Sequence, residues 1–201
     1  MTRTLLLAGV AALAAQAALA QRTDITIGMQ LEPPNLDPTG GAAAAIDEVL
    51  YANVMEGLTR FASDGSIVPA LAREWEVGDD GSVYTFHLHE GVTFHDGTAM
   101  DAEDVVFTLD RARAEDSTNA QKQLFTGIES VEALDPTTVR VTLSAPDGNF
   151  PFKMAWGDAV IVAPESADDL ATNPVGTGPF MFSDWVQGDR VEIVRNPDYW
   201  G

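Results

Sequence analysis

Several stretches of the chain alternate apolar and polar residues with a period of two, which is the pattern of a half-buried β-strand. The stretches with this pattern are residues 24–30, 83–89 and 190–195. In the clearest of them, Tyr84, Phe86 and Leu88 share one face, and polar side chains occupy the other. Two more strands are predicted over residues 129–134 and 138–143, joined by a turn that contains Pro136.

Two other stretches repeat apolar residues at helical spacing. The first, residues 43–58, places Ile46, Val49, Leu50 and Val54 on one face, with Gly57 as a C-terminal stop. The second is predicted from Ala102 to about Arg113, with its apolar stripe at Val105, Val106 and Leu109.

The start of the second helix carries a strong local signal. The Asp101 carboxylate can accept hydrogen bonds from N–H groups of the first turn, and Asp104 can reach back to the Asp101 N–H. The segment before it, 91–100, contains the Asp96-Gly97 turn dipeptide. We therefore interpret the whole run 91–111 as scaffold, since nothing in it suggests a reaction.

The remaining segments are short or irregular. Residues 31–41 hold three prolines and two glycines, which exclude a helix or a central strand. Residues 160–164 are predicted to be a buried strand, and residues 175–182 a glycine-rich turn that leads into a strand. A short helix is expected near Phe152. Helices and strands mix without a regular βαβ repeat, which indicates the α+β fold class.

The first twenty residues are expected to be an export signal. Arg3 precedes an apolar run that ends in Ala-Leu-Ala, the small-x-small pattern of a cleavage site after Ala20. The mature chain would then begin at Gln21, and an uncleaved membrane anchor is the alternative. No cysteine follows the run, so a lipoprotein is excluded and a periplasmic location is expected.

Composition narrows the possible partners. The chain has 31 acidic and 11 basic residues, a net charge of −20, and no cysteine. Nucleic acid is disfavoured because phosphate contacts require Lys and Arg. The stability of the fold must come from a buried core, since no disulfide can form.

The sequence contains parts of three known metal- or cofactor-binding motifs, and none of them is complete. His87 and His89 share one strand face, but nothing fixes a third zinc ligand. A calcium-loop frame over 76–87 puts His87 where the bidentate Glu belongs. Gly176 and Gly178 begin a dinucleotide fingerprint whose third glycine position is Met181. We therefore expect no enzyme activity, no metal and no cofactor.

A set of longer motifs carries a family resemblance. They are LEPPNLDP (31–38), YANVMEGLTRFASDGSIVPALAREWEV (51–77), DDGSVYTFHLHEGVTFHDGTAMDAEDVVFTLDR (79–111), VGTGPFMFSDW (175–185) and RNPDYW (195–200). In this order and spacing the chain resembles the extracytoplasmic solute-binding proteins of ABC importers, in the peptide/nickel-binding family, family 5. The resemblance covers most of the expected mature chain.

The resemblance implies a large class II periplasmic-binding-protein fold made of two lobes that close round a ligand. It assigns residues 21–45 and 161–201 to the first lobe, and residues 46–160 to a small α/β domain inserted in it. Family members are more than twice as long, so the second lobe and the last part of the first are absent from this sequence. The chain is therefore interpreted as an N-terminal fragment.

The implied function is solute capture in the periplasm and delivery to a membrane permease, by a monomer, with a peptide as the expected solute. Nickel chelates, opines and sugars are alternatives within the family, and a truncated, non-functional remnant is the alternative to transport. With half of the cleft missing, the chain alone is expected to bind solute weakly or not at all.

Candidate solute contacts follow from position in the family. The loop after the first strand reaches the cleft, which nominates Gln30, Leu31, Glu32 and Pro33. Glu32 could pair with a ligand amine or be a solvated loop carboxylate. Thr177 and Gly178 are expected at the cleft edge, where the glycines of the turn are expected to permit positive φ.

Overall fold

A computed structural model describes residues 23–201 of the 201-residue chain. The expected export signal and its cleavage site lie outside the described residues. The helices are α1 (Ala44–Leu50), α2 (Ala102–Arg113) and α3 (Phe150–Lys153), with short 3-10 turns at Lys122–Leu124, Gly157–Ala159 and Pro164–Ser166. The strands are β1 (Thr59–Phe61), β2 (Ile67–Pro69), β3 (Ala72–Val77), β4 (Val83–Leu88), β5 (Ile128–Asp135), β6 (Thr138–Leu143), β7 (Phe180–Val186) and β8 (Arg190–Arg195).

The middle of the chain forms a four-stranded antiparallel sheet in the order β3-β4-β6-β5. The alternation predicted for β4 is confirmed, because Tyr84, Phe86 and Leu88 are all buried. Phe86 lies opposite Trp75 of β3 and Val139 of β6. Helix α2 packs on this sheet through β5 and β6.

Helix α2 begins as its sequence predicts. Asp101 Oδ1 accepts from the Glu103 N–H at 2.8 Å, and Asp104 Oδ2 accepts from the Asp101 N–H at 2.8 Å. The two bonds complete the capping box, and the helix ends at Arg113 as expected.

A second apolar cluster joins the two ends of the described chain. Its buried members are Leu36, the α1 residues Ile46, Val49 and Leu50, and Val54, Met55, Val160, Val162, Ala167 and Leu170, and the inner side chains of the β7–β8 hairpin pack against them. The members from the hairpin are Phe182, Trp185, Val191 and Ile193. The N-terminal loop, α1 and the hairpin therefore form one packed unit beside the sheet. The α+β fold class is confirmed.

Three local predictions are wrong. Residues 24–30 form no strand in the described chain, and Ile25 and Ile27 are 84% and 74% exposed. A strand requires a backbone partner, and no described strand pairs with this segment. Residues 160–163 are buried but form no strand. Val160 makes one isolated bridge to Gly57, and the Val162 N–H donates to Thr108 Oγ1 of α2 at 3.0 Å, while the exposed Pro164 begins a 3-10 turn.

The third difference is the length of the first helix. It ends at Leu50, although a helix was predicted to Gly57. Ala52 has a φ of 57°, in the left-handed region, and the Asn53 side chain donates to the Val49 carbonyl at 3.1 Å. All four residues of the predicted apolar face are nevertheless buried, because the chain folds back over the same core.

Among residues 23–201, no helix is both long enough and apolar enough to cross a membrane.

Candidate functional site

The predicted contact loop is held at its base by the β7–β8 hairpin. Glu32 Oε1 accepts from the Trp185 indole N–H at 3.2 Å and from the Gly188 N–H at 2.7 Å. Pro33 is buried, whereas Gln30 and Leu31 are exposed. One oxygen of Glu32 thus anchors the loop, and no described group donates to Oε2.

Thr177 lies in a different environment. It is only 1% exposed, and its hydroxyl donates to Glu56 Oε2 at 2.9 Å. The neighbouring Gly178 donates its N–H to the Val54 carbonyl at 3.0 Å. Among the described residues, no hydrogen bond joins Thr177 or Gly178 to residues 30–33, so the two predicted groups are positioned independently.

Glu56 is the centre of a buried hydrogen-bond network. Besides Thr177, it accepts from the Tyr199 hydroxyl and the Trp200 indole N–H, each at 2.9 Å. Burial raises the pKa of Glu56, and the three hydrogen bonds oppose that rise. Burial and the Glu56 carboxylate raise the pKa of Tyr199 to about 12. The network ties the turn at 176–178 to the last residues of the chain.

His95 holds the same turn from the other side. Its Nδ1 accepts from the Gly176 N–H at 3.3 Å, and its Nε2 lies 3.0 Å from the Gly178 carbonyl oxygen. This pair of partners fits the neutral imidazole with its proton on Nε2. Burial lowers the pKa of His95, which favours the same neutral form.

The glycines of this turn are required by close packing. Neither Gly176 nor Gly178 has a positive φ, so the turn does not use the left-handed conformation that glycine permits. A Cβ on Gly176 would overlap the Val54 carbonyl oxygen, and one on Gly178 would overlap the Asn53 carbonyl oxygen. The turn lies directly on the 53–55 backbone.

A concave surface that the sequence did not predict lies between the N-terminal loop, the end of α2, the 114–119 loop and residue 158. It has a volume of about 210 Å³ and is called here the polar cleft. Its polar lining residues are Thr39, Thr108, Arg111, Asp116, Ser117, Thr118, Asn119 and Asp158. Asp116 and Thr118 are exposed at its rim, so the cleft opens to solvent.

The wall of the polar cleft on the loop side is fixed by Asp37. Its Oδ1 accepts from the Thr39 N–H at 2.8 Å and from the Thr39 hydroxyl at 2.6 Å. Arg111 Nη1 donates to Thr39 Oγ1 at 2.6 Å, and Nη2 lies 3.6 Å from Asp37 Oδ2. The guanidinium is thus directed toward the loop.

The opposite wall carries Asp158, which is 5% exposed. The buried Asn119 side chain donates to the Asp158 carbonyl at 2.9 Å and so joins the 114–119 loop to this wall. Burial, and next the nearby Asp47 carboxylate, raise the pKa of Asp158 to about 6. Burial also raises the pKa of Asp47. Among the described residues, no group of three or more His, Cys, Asp or Glu is placed to hold a metal ion.

Comparison with known proteins identifies the family. Residues 66–201 match the family model described as bacterial extracellular solute-binding proteins, family 5 Middle. The chain belongs to family 5 of the bacterial extracellular solute-binding proteins. The resemblance stated from the motifs is therefore confirmed.

The family 5 relatives are binding proteins. The chain is 33% identical over 202 residues to the glutathione-binding protein GsiB of Pectobacterium atrosepticum, a match that covers 98% of the chain. Among solved structures it is similar to AgaA of A. tumefaciens R10 in complex with agropinic acid (TM-score 0.79, 32% identity, 85% of this chain). It is also similar to the ABC transporter-associated periplasmic binding protein DppA of Helicobacter pylori in complex with the peptide STSA (TM-score 0.74, 31% identity, 83% of this chain). The periplasmic-binding-protein fold is confirmed.

The chain spans about two fifths of the length of these family 5 proteins. It covers 39% of GsiB, 35% of AgaA and 38% of DppA. The fragment interpretation is consistent with these shares.

Proposed function

We propose that the chain is the N-terminal part of a periplasmic receptor that captures a small solute, a peptide in the first place, and delivers it to the permease of an ABC importer. Family membership is the observation that carries the proposal. The bound peptide in DppA and the bound opine in AgaA support a small organic solute.

The proposed domain layout assigns residues 21–45 and 161–201 to the first lobe and residues 46–160 to an inserted domain. The polar cleft lies where these parts meet, since Thr39 belongs to the first and Arg111, Asn119 and Asp158 to the second. Clefts between domains are preferred positions for small-molecule sites. We propose that the polar cleft forms one wall of the solute site.

We propose two different roles for the residues nominated by their position in the family. Residues 30–33 would contact the solute, and Thr177 and Gly178 would support the structure around it. Glu32 Oε2 and the exposed side chains of Gln30 and Leu31 can reach a solute. Thr177 and Gly178 would support the edge of the cleft between the two lobes through their hydrogen bonds to Glu56 and Val54.

Solute uptake tests this function. Deletion of the gene is expected to reduce uptake of radiolabelled di- and tripeptides, and the intact gene on a plasmid should restore it. An opine and a nickel–histidine complex serve as parallel substrates. Loss of uptake of one of these in place of peptides would revise the solute, and unchanged uptake of all three would overturn the proposal.

A further inference from the structure

His95 joins two segments that are far apart in the sequence. Its main-chain N–H donates to the Gly176 carbonyl at 2.9 Å, its Nδ1 accepts from the Gly176 N–H at 3.3 Å, and its Nε2 lies 3.0 Å from the Gly178 carbonyl oxygen. Both the main chain and the ring of His95 therefore contact the 176–178 turn. In the proposed domain layout His95 belongs to the inserted domain and the turn to the first lobe.

The partners of the ring determine where its proton lies. The Gly176 N–H is directed at Nδ1, so Nδ1 must carry a lone pair. Nε2 faces the Gly178 carbonyl oxygen, which also accepts from the Asn196 side chain at 3.1 Å, so Nε2 must carry a proton. Only the neutral imidazole with its proton on Nε2 satisfies both contacts.

A second proton on the ring would break one of these contacts. The imidazolium has a proton on each nitrogen, so its Nδ1 proton would point at the Gly176 N–H. Among the described residues the Gly176 N–H has no other acceptor, and a donor left without a partner is destabilising. The contact of Nε2 with Gly178 survives protonation, and the contact of Nδ1 with Gly176 does not.

The turn cannot relieve this conflict by moving deeper into the protein. Gly176 lies so close to Val54 that a Cβ on it would overlap the Val54 carbonyl oxygen. The Gly178 N–H is already bonded to the same carbonyl at 3.0 Å. The turn is confined between His95 and the 53–55 backbone, so a protonated ring separates from it only if the ring or the turn leaves its place.

Burial and two neighbouring groups act on the protonation of His95. Burial lowers the pKa of His95 from its ordinary value of 6.5, and the Gly178 carbonyl and the Asp96 carboxylate oppose that change. The folded chain therefore binds this proton more weakly than the unfolded chain does. The stabilisation that the neutral ring provides is complete above about pH 6.5 and is lost as the pH falls toward the pKa of the folded ring.

Acids on neighbouring elements change stability with the opposite sign. Glu56 lies across the turn, bound to the Thr177 hydroxyl, and Asp104 at the start of α2 interacts with the charge of Asp96. Burial raises the pKa of Glu56, and raises that of Asp104 to about 6, so protonation of either acid stabilises the fold as the pH falls. A loss of stability at the turn on acidification is therefore not due to these acids.

We propose that His95 is a pH-sensitive latch, which holds the 176–178 turn against the 91–100 loop while its imidazole is neutral and releases the turn when the imidazole is protonated. The latch would loosen the contact between the first lobe and the inserted domain in acid. It does not depend on the proposed function, since all of its atoms lie in the described chain.

NMR of the imidazole nitrogens tests the latch in the wild-type protein. In the purified, ¹⁵N-labelled chain, His95 should show the spectrum of the Nε2–H tautomer at neutral pH, and its ring should titrate below pH 6.5. The Gly176 amide signal should shift with the same midpoint. The opposite tautomer, a midpoint at or above pH 6.5, or a Gly176 amide that does not follow the titration would each overturn the proposal.

Hydrogen exchange measures the release of the turn itself. The Gly178 and Phe180 amides, which donate to the Val54 and Asn53 carbonyls, exchange only when the turn opens. After correction for the intrinsic pH dependence of exchange, their protection should fall by up to about tenfold per pH unit as the pH drops from about 6.5 toward the pKa of the folded ring. Protection that stays constant or rises over this range would contradict the latch.

Two variants assign the effect to His95. His95→Asn removes the titrating group, and its side-chain oxygen can still accept from the Gly176 N–H, so protection of the turn should no longer fall with pH. His87→Asn is the matched control, because the His87 ring lies near Glu76 of β3 and should leave the pH-dependent loss intact. A loss that persists in His95→Asn would overturn the proposal. If that variant does not fold, the tautomer and the titration of the wild-type ring still decide.

Discussion

The carboxylate of Glu56 and the hydroxyl of Thr177 are hydrogen-bonded at 2.9 Å although 121 residues separate them. The same carboxylate also accepts hydrogen bonds from the Tyr199 hydroxyl and the Trp200 indole N–H. One buried side chain thus joins the segment after α1 to the 176–178 turn and to residues 199–200. Glu56 therefore fixes the position of residues 199–200 relative to the 176–178 turn.

Replacing Glu56 with Ala should strongly destabilise the chain. The buried Thr177 hydroxyl and the partly buried donors of Tyr199 and Trp200 would lose their acceptor. Loss of a buried partner costs about 1–3 kcal/mol and loss of a partly buried one costs less, so the free energy of unfolding should fall by about 3 kcal/mol. Glu56→Gln keeps an acceptor oxygen and should cost less. Urea denaturation followed by tryptophan fluorescence measures both. Glu48→Gln, at an exposed position on α1, is the control, and a Glu56→Ala variant as stable as this control would contradict the network.

Adding a methyl group to the 176–178 turn should also destabilise the fold. The Cβ of Gly176→Ala would overlap the Val54 carbonyl, and overpacking of this kind costs about 1–3 kcal/mol or more. Gly127→Ala is the matched control, because its Cβ meets open space and its φ is not positive. Thermal melts of the two variants should differ by several degrees, and equal melting temperatures would show that the turn is loosely packed.

Asp158 should make stability depend on pH. Its pKa is raised from 3.8 to about 6, so the folded chain binds this proton more tightly than the unfolded chain. The free energy of unfolding should therefore fall as the pH rises from about 4 through 6. In Asp158→Asn this contribution is absent, so the stability of the variant relative to wild type should rise by about 2 kcal/mol as the pH increases from about 4.5 to 7.5.

Urea denaturation of wild type and Asp158→Asn, each at about pH 4.5 and at about pH 7.5, measures how the difference in their free energies of unfolding changes with pH. Asp168→Asn, at an exposed position, controls for the change in net charge. A stability difference between wild type and Asp158→Asn that does not change with pH would mean that the Asp158 carboxylate is adequately solvated.

Removing the N-terminal cap of α2 should lower the stability of the chain by less than the Glu56→Ala change, and independently of it. Asp101→Ala removes the acceptor of the Glu103 N–H and should lower the free energy of unfolding by about 1 kcal/mol. Asp79→Ala, an exposed acid in a turn, should change it by less than about 0.5 kcal/mol. The comparison fails if the two variants unfold at the same denaturant concentration.

Features determined by neighbouring residues could be predicted from the sequence. Helix α2 was placed correctly because Asp101 and Asp104 start it and its apolar stripe continues it. Strand β4 was placed correctly because alternation over six residues matches one buried face. In both cases the deciding interactions lie within one element or one turn.

Features that depend on distant segments could not be predicted. Residues 24–30 have a strand pattern without a strand, since pairing requires a partner that local sequence does not specify. Val162 hydrogen-bonds to Thr108 of α2, and the pairing of Val160 with Gly57 is a single isolated bridge. The polar cleft brings together Thr39, Arg111 and Asp158, and no spacing in the sequence reveals that they meet. The family could be identified from the sequence because five motifs between residues 31 and 200 occur together in the order and spacing of family 5.

The central claim is that this chain carries one wall of a solute site that is completed in longer family members. A chimaera that joins the chain to the part of Pectobacterium atrosepticum GsiB beyond the match would supply the other wall. If the chimaera folds, it should bind amine-bearing peptides or glutathione more tightly than the chain alone, because closure buries the solute.

Calorimetry of the purified chain from Gln21 with a peptide mixture tests that claim most directly. The account predicts no saturable heat at micromolar peptide, since a one-walled cleft leaves most of a bound solute in water. Clear saturable heats at micromolar concentrations would contradict it, and would mean that residues 21–201 form a complete binding site by themselves.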